Sequence, residues 1–255
     1  SVFIPAVNSG EIPLGLANIA DLTWAVEGKE HFKGRPYTDI RAIAVAYPLR
    51  STIFVRKDSD IKTLADLKGK RVVDGFTSQK VILPILDAMY ATAGLTSSDM
   101  TGVQIPNVGA GADAFAAGKA DMFFFALGAA KPREVDASVG GIRMLSIPDT
   151  PAALAAIKKH YSPGYIRAET PSPGNVGVLE PGNSLAYDAL VFSSAKTPDS
   201  VAYAVAKLMY ENSKELGKDF PPFRLFDTKL MVKDFGPVTY HPGALKFYRE
   251  VGLVK

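Results

Sequence analysis

Short runs rich in Val, Ile and Phe recur along the 255 residues, at 40–47, 51–56, 71–74, 121–127, 143–147 and 185–193, with helix-period segments between most of them. Strands alternating with helices predict an α/β fold with mixed, mostly parallel sheets flanked by helices. The length admits one large domain or two of about 120 residues.

The punctuation between runs is as informative as the runs themselves. In "DIKTLADLKGKRVVDG", Thr63 stands three residues before Asp66 as in a capping box, Leu64 and Leu67 point inward, and Gly69 supplies a left-handed cap before the next strand. The same device occurs in "AVNSGEIPLGLAN" and "AFAAGKADMFFFAL", where Gly10 and Gly118 each end a helix-like run and launch a strand. Two readings stand: a coincidence common in α/β chains, or two similar lobes that each offer a strand end to a shared cleft. Residues 148–181, dense in Pro, Gly, Ser and Asn, read as a long irregular connection. In "TPDSVAYAVAKLMYENSKEL", Thr197 reads as the N-cap and Pro198 as the first helical residue, with Val201, Val205, Leu208 and Met209 on the core face.

Composition narrows the function. A chain 47% hydrophobic and 22% charged is globular, and its net charge of +3, spread without like-charge blocks, argues against a nucleic-acid surface. The longest apolar stretch, "MFFFALGAA", is too short to span a bilayer, and the absence of cysteine removes disulfide, thiolate and Cys–zinc chemistry. The opening "SVFIPAVNSGE" has neither a charged nor an apolar leader region.

Nucleophile-elbow, zincin and dinucleotide signatures are not found, so no catalytic residue, metal ligand or cofactor is expected. "GADAFAAGKAD" fails as a phosphate loop, because six residues separate Gly111 from Gly118 and Ala120 occupies the metal-binding hydroxyl position. His31, His160 and His241 lack ligand spacing and read as surface or loop residues. One stretch has a physical case for binding. In "RVVDGFTSQKVILPIL" a strand ends at Gly75, and Thr77 and Ser78 precede an apolar-periodic helix, so free N–H groups and two hydroxyls suit a carboxylate or other anion. The alternative is a plain helix cap, and Pro84 implies that the helix kinks or begins after Ser78.

Taken together, "NSGEIPLGLANIADLTWAVEG", "VRKDSDIKTLADLKGKRVVDG", "GADAFAAGKADMFFFALGA", "VGGIRMLSI", "AYDALVFSSAKTPDSVAYAVAKLMYEN" and "YHPGALKFYREVGL" resemble the TAXI family of solute receptors of TRAP transporters, in family order from Asn8 to Leu253. "DLKGKRV" alone is shared with many type II periplasmic binding proteins; the ordered set is more specific. The family's glycine-rich first strand and helix are not among these residues, and its loop after "KGKRV" is usually richer in glycine than "DGFTSQK".

The resemblance implies a two-lobed type II periplasmic binding fold with a hinge, lobe 1 taking 1–56 and 196–255 and lobe 2 taking 57–195, with "STIFVRKD" and "LAYDALVFSS" as the crossings. It implies a monomeric periplasmic receptor that captures a small organic acid or amino acid and passes it to TRAP membrane subunits. A sensing module of a signalling protein is the alternative. An enzyme on this fold, as in porphobilinogen deaminase, requires a cofactor-carrying cysteine. Strand ends nominate Asn18, Tyr47, Phe125 and Gly128 for the ligand site. Thr77 and Ser78 are the expected carboxylate anchors, with Gln79 nearby and Phe76 covering an apolar part of the ligand; Tyr187 is a contributor or a hinge residue.

Overall fold

The computed structural model describes residues 3–255; Ser1 and Val2, part of the stretch read for a leader, lie outside the described residues. In chain order the first elements are α1 (Ile4–Ser9), β1 (Gly15–Asn18), α2 (Ile19–Glu27), the long β2 (Ile40–Arg56), β3 (Arg71–Gly75) and α3 (Ile82–Ala91). Then come β4 (Thr101–Ile105), α4 (Val108–Ala116), β5 (Met122–Ala126), α5 (Ala130–Val139), β6 (Ile142–Met144), α6 (Pro151–His160) and β7 (Tyr165–Glu169). The chain closes with β8 (Gly182–Ser194), α7 (Asp199–Glu211), α8 (Ser213–Asp219) and α9 (Pro242–Glu250). It divides into two compact units, Ser1–Leu49 with Tyr187–Lys255, and Arg50–Ala186. These divisions fall inside β2, just after Pro48, and inside β8, whereas the sequence expectation set them after residues 56 and 195.

In unit 2, β3 and β4 pair in parallel from Arg71↔Thr101 to Gly75↔Ile105. The Asp121 N–H donates to the Arg71 carbonyl at 2.8 Å where β3 and β5 both begin, and the two strands stay packed together beyond that point, so they run in the same sense. The remaining pairings described are antiparallel: β5 and β6 against the second half of β2, and β7 against the first half of β8. The α/β class holds, but the mostly parallel expectation is corrected. Helical crossovers can supply parallel neighbours, whereas the chain doubles back against the long strands β2 and β8. An aromatic stack of Phe54, Phe115 and Phe123 fills the core beneath α4.

Unit 1 pairs β1 with β8 and packs α7 on α9. Its core face on α7 is Ala202, Ala206 and Met209; Val201 and Leu208 are exposed, correcting the expected stripe. These three share a buried cluster with Ala244, Phe247 and Tyr248 of α9. Thr197 is not the cap: the helix starts at Asp199 after Pro198, and the Thr197 carbonyl accepts the His241 Nε2–H at 2.9 Å. His241 is therefore buried rather than a surface residue, and its Nδ1 accepts the Gly243 N–H at 3.2 Å as the N-cap of α9.

Two further expectations change. Residues 148–181 are not wholly irregular, since α6 begins at Pro151 behind the Thr150 cap, whose hydroxyl accepts the Ala153 N–H at 3.1 Å, and β7 follows. The two glycine-ended segments also differ in spacing. Gly10 (φ 85°) caps α1, yet β1 begins only at Gly15, while Gly118 (φ 72°) precedes β5 by four residues.

The turns that start strands in unit 2 hold carboxylates in hydrogen bonds and an ion pair. The Asp66 carboxylate accepts the Lys62 and Thr63 N–H groups and the Thr63 hydroxyl, and Asp99 accepts the same two groups of Thr96; these bonds hold both carboxyls below their ordinary range. Asp121 is held low by the Arg71 guanidinium, 2.6 Å away. Lowered folded-state values contribute stability above the unfolded carboxylate range, lost as pH falls below about 4. Urea midpoints measured at pH 6 and pH 3 are expected to drop in the wild type and to drop less in Asp66→Asn/Asp99→Asn/Asp121→Asn; equal drops would contradict this.

Candidate functional site

The C-terminal ends of β4, β3 and β5 lie along one edge of unit 2, where ligands of open α/β sheets bind. Each end runs into a turn and then a helix N-terminus. After β3, Gly75 (φ 83°) and Phe76 (φ 39°) form a tight turn in a left-handed conformation that costs a non-glycine residue about 1–3 kcal/mol. The Ser78 N–H donates to the Pro106 carbonyl at 2.9 Å and the Gln79 N–H to the Phe76 carbonyl at 2.8 Å. The Gln79 Oε1 accepts the Val108 N–H at 2.9 Å, tying this turn to the start of α4. Asn107 caps α4 by accepting the Ala110 N–H at 3.0 Å.

The sequence expectation for this turn needs two corrections. Helix α3 starts at Ile82, with Pro84 in its first turn, so Thr77 and Ser78 precede the helix and the Ser78 N–H is already used. Their hydroxyls, and the N–H groups of Thr77 and Gly109, have no partner among the described residues. Phe76 is fully buried in unit 2, so its ring serves the core rather than a ligand surface.

At the end of β5 the site has a charged anchor that the sequence reading missed. Arg50, at the start of the unit 2 half of β2, donates from one terminal nitrogen to Glu169 Oε2 at 2.8 Å and Asn175 Oδ1 at 3.1 Å. Its other terminal nitrogen reaches the Leu127 carbonyl at 3.4 Å. The Leu127 N–H returns a 2.7 Å bond to the Arg50 carbonyl. Gly128 has φ 84°, and a Cβ there would sit 2.9 Å from that guanidinium; glycine makes room for the arginine. Two residues on, α5 begins behind Ala129 with no side-chain cap, leaving the Ala130 and Lys131 N–H groups unused among the described residues. Hydroxyls, uncapped N–H groups and a guanidinium on one edge make a donor-rich surface suited to an anion. The missed signal was a lone arginine between two apolar runs of a strand.

The other nominated residues sit as follows. Phe125 is half-buried opposite Thr52 and packs on the aromatic core of unit 2. In unit 1, Asn18 caps α2 by accepting the Asp21 N–H at 2.9 Å. Tyr47 is buried against Phe223, ring centroids 5.2 Å apart, and burial pushes its hydroxyl up from the usual tyrosine value. Tyr187 is buried where β8 enters unit 1. Thus Thr77, Ser78, Gln79 and Gly128 share the unit 2 edge, while Asn18, Tyr47 and Tyr187 belong to unit 1. Among the described residues no cluster of three or more metal-ligating side chains occurs, and no helix is long and apolar enough to cross a membrane.

The fold defined by these elements is that of periplasmic solute-binding proteins. A periplasmic sulfonate-binding protein SsuA of a putative sulfonate ABC transporter, from Methylobacillus flagellatus KT, superposes with a TM-score of 0.58 at 16% identity, over 99% of this chain and 79% of its own. A Xanthomonas citri protein bound to chloride ion gives 0.51 at 10%, over 99% and 80%. A structure described as a periplasmic transporter also gives 0.51, at 14%, over 94% and 73%. Across such matches the chain spans 66% to 80% of the other protein's length. The chain belongs to the NMT1-like family, which it matches over residues 3–252.

Proposed function

We propose that this chain is a periplasmic solute-binding receptor that captures a small organic acid or amino acid and delivers it to a membrane permease, without making or breaking a bond. The observation that carries the reading is the donor-rich edge of unit 2, where Arg50, the Thr77 and Ser78 hydroxyls and the uncapped start of α5 offer hydrogen-bond donors to a carboxylate. Asn18, Tyr47 and Tyr187 are proposed contributors from unit 1, and the crossings in β2 and β8 are proposed as the hinge. Capture is a population shift, driven by tighter binding to one conformer than to another.

The TAXI resemblance supports a TRAP-type permease as partner. A second reading, an ABC permease, is favoured by the name of the Methylobacillus flagellatus protein that shares the fold, a component of a putative sulfonate ABC transporter. A sulfonate presents the same acceptor chemistry as a carboxylate to this edge.

Mass spectrometry of the compound retained through native purification identifies the ligand, and calorimetry on Thr77→Ala and Ser78→Ala tests the site. Loss of a charge-assisted hydrogen bond of about 1.5–3 kcal/mol predicts a roughly ten- to hundredfold fall in affinity. Unchanged affinity in both variants would reduce this turn to a structural connection.

A further inference from the structure

Behind Arg50 lies an imbalance of charge. Glu169, its side chain 3% exposed, is shared by two arginines: Arg50 at 2.8 Å, its side chain 13% exposed, and Arg167, whose Nε lies 3.8 Å from Glu169 Oε1. That separation is too long for a hydrogen bond, and the enclosed Arg167 Nε–H has no acceptor. The Glu169 Oε1 instead accepts the hydroxyl of fully buried Ser184 at 2.8 Å. Asn175, which accepts from Arg50, is itself fixed by donating to the Thr170 carbonyl at 3.0 Å. The carboxylate is therefore locked in place, and two guanidiniums share one negative charge. An enclosed ion pair beside a partly exposed second guanidinium carries one excess positive charge, and the open side of that guanidinium suits an anionic acceptor.

We infer that Arg50 and Arg167 form the anion-binding pair of this receptor, that Glu169 is the positioning residue that orients both, and that the ligand group they take carries a single negative charge, as in a carboxylate or a sulfonate. This rests on the receptor reading and narrows it. Glu169 already cancels one of the two positive charges, so a monoanion brings the cluster to neutrality and a dianion overcharges it. Arg167 offers the exposed remainder of its fork, its side chain being 37% exposed.

Anion binding to the intact protein tests the inference, with acetate, methanesulfonate and sulfate as probes and chemical-shift titration as readout. Acetate and methanesulfonate are expected to bind the wild type in preference to sulfate. Arg167→Gln should weaken both monoanions about tenfold or more, and Arg167→Lys should restore part of the loss. Glu169→Gln should invert the preference toward sulfate, a change that a merely structural role would not produce. Thermal unfolding of each variant confirms that it is folded. Monoanion affinity unchanged in Arg167→Gln, or all three anions weakened equally in folded Glu169→Gln, overturns the assignment while leaving a receptor that retains its natural ligand intact. A natural ligand found to be uncharged would overturn both.

Discussion

Arg50→Gln is expected to destabilise unit 2 by about 3–5 kcal/mol, because it strands the Glu169 carboxylate in a site where that side chain is 3% exposed. Arg167, 3.8 Å away, can recover only part of the lost attraction. The Arg50→Gln/Glu169→Gln double variant should be more stable than Arg50→Gln alone, since removing both charges leaves no uncompensated ion. Urea unfolding across this cycle decides between an ion pair and a packing role for Arg50. Additive losses would show that the pair contributes nothing as a pair.

Gly243→Ala is the second large effect, and it falls on unit 1. A Cβ at that position would overlap the backbone carbonyl of Asp199, coming 2.8 Å from its carbon, where α9 crosses the start of α7. Backbone cannot swing aside as a side chain can, so the two helices must separate. The same contact is held by His241, whose Nε2 bonds the Thr197 carbonyl at 2.9 Å. Overpacking of this kind costs about 3 kcal/mol, or some 6–12 °C in Tm for a chain of this size. Gly140→Ala is the control: it has open space around it and φ 78°, so it carries only the left-handed strain of about 1–2 kcal/mol. Equal losses at the two glycines would contradict the close approach of α9 to α7.

Local signals in the sequence were legible wherever one residue type meets one backbone requirement. The Thr63–Asp66 turn, Gly69 before β3 and the apolar runs of β3, β5 and β8 stand where the sequence places them. Tertiary contacts were not legible. The face of α7 is decided by α9, and β2 continues through Pro48 as one strand where the sequence breaks into two runs. The Pro, Gly, Ser and Asn density of residues 148–181 concealed the capped helix α6. The site divides in the same way. The turn after β3 announces itself by its glycine and hydroxyls, but the fate of the Ser78 N–H depends on Pro106, and Arg50 acquires meaning only from Glu169 and Asn175, more than a hundred residues later.

The central claim, that this family member is a receptor whose unit 2 edge holds an anionic group, is tested most directly by a crystal structure of the natively purified protein with its retained compound. The account predicts the ligand's negatively charged group within about 3 Å of Arg50, of the Thr77 or Ser78 hydroxyl, or of the N–H groups that open α5. A ligand seated without contact to any of these, or one chemically altered by the protein, would contradict it.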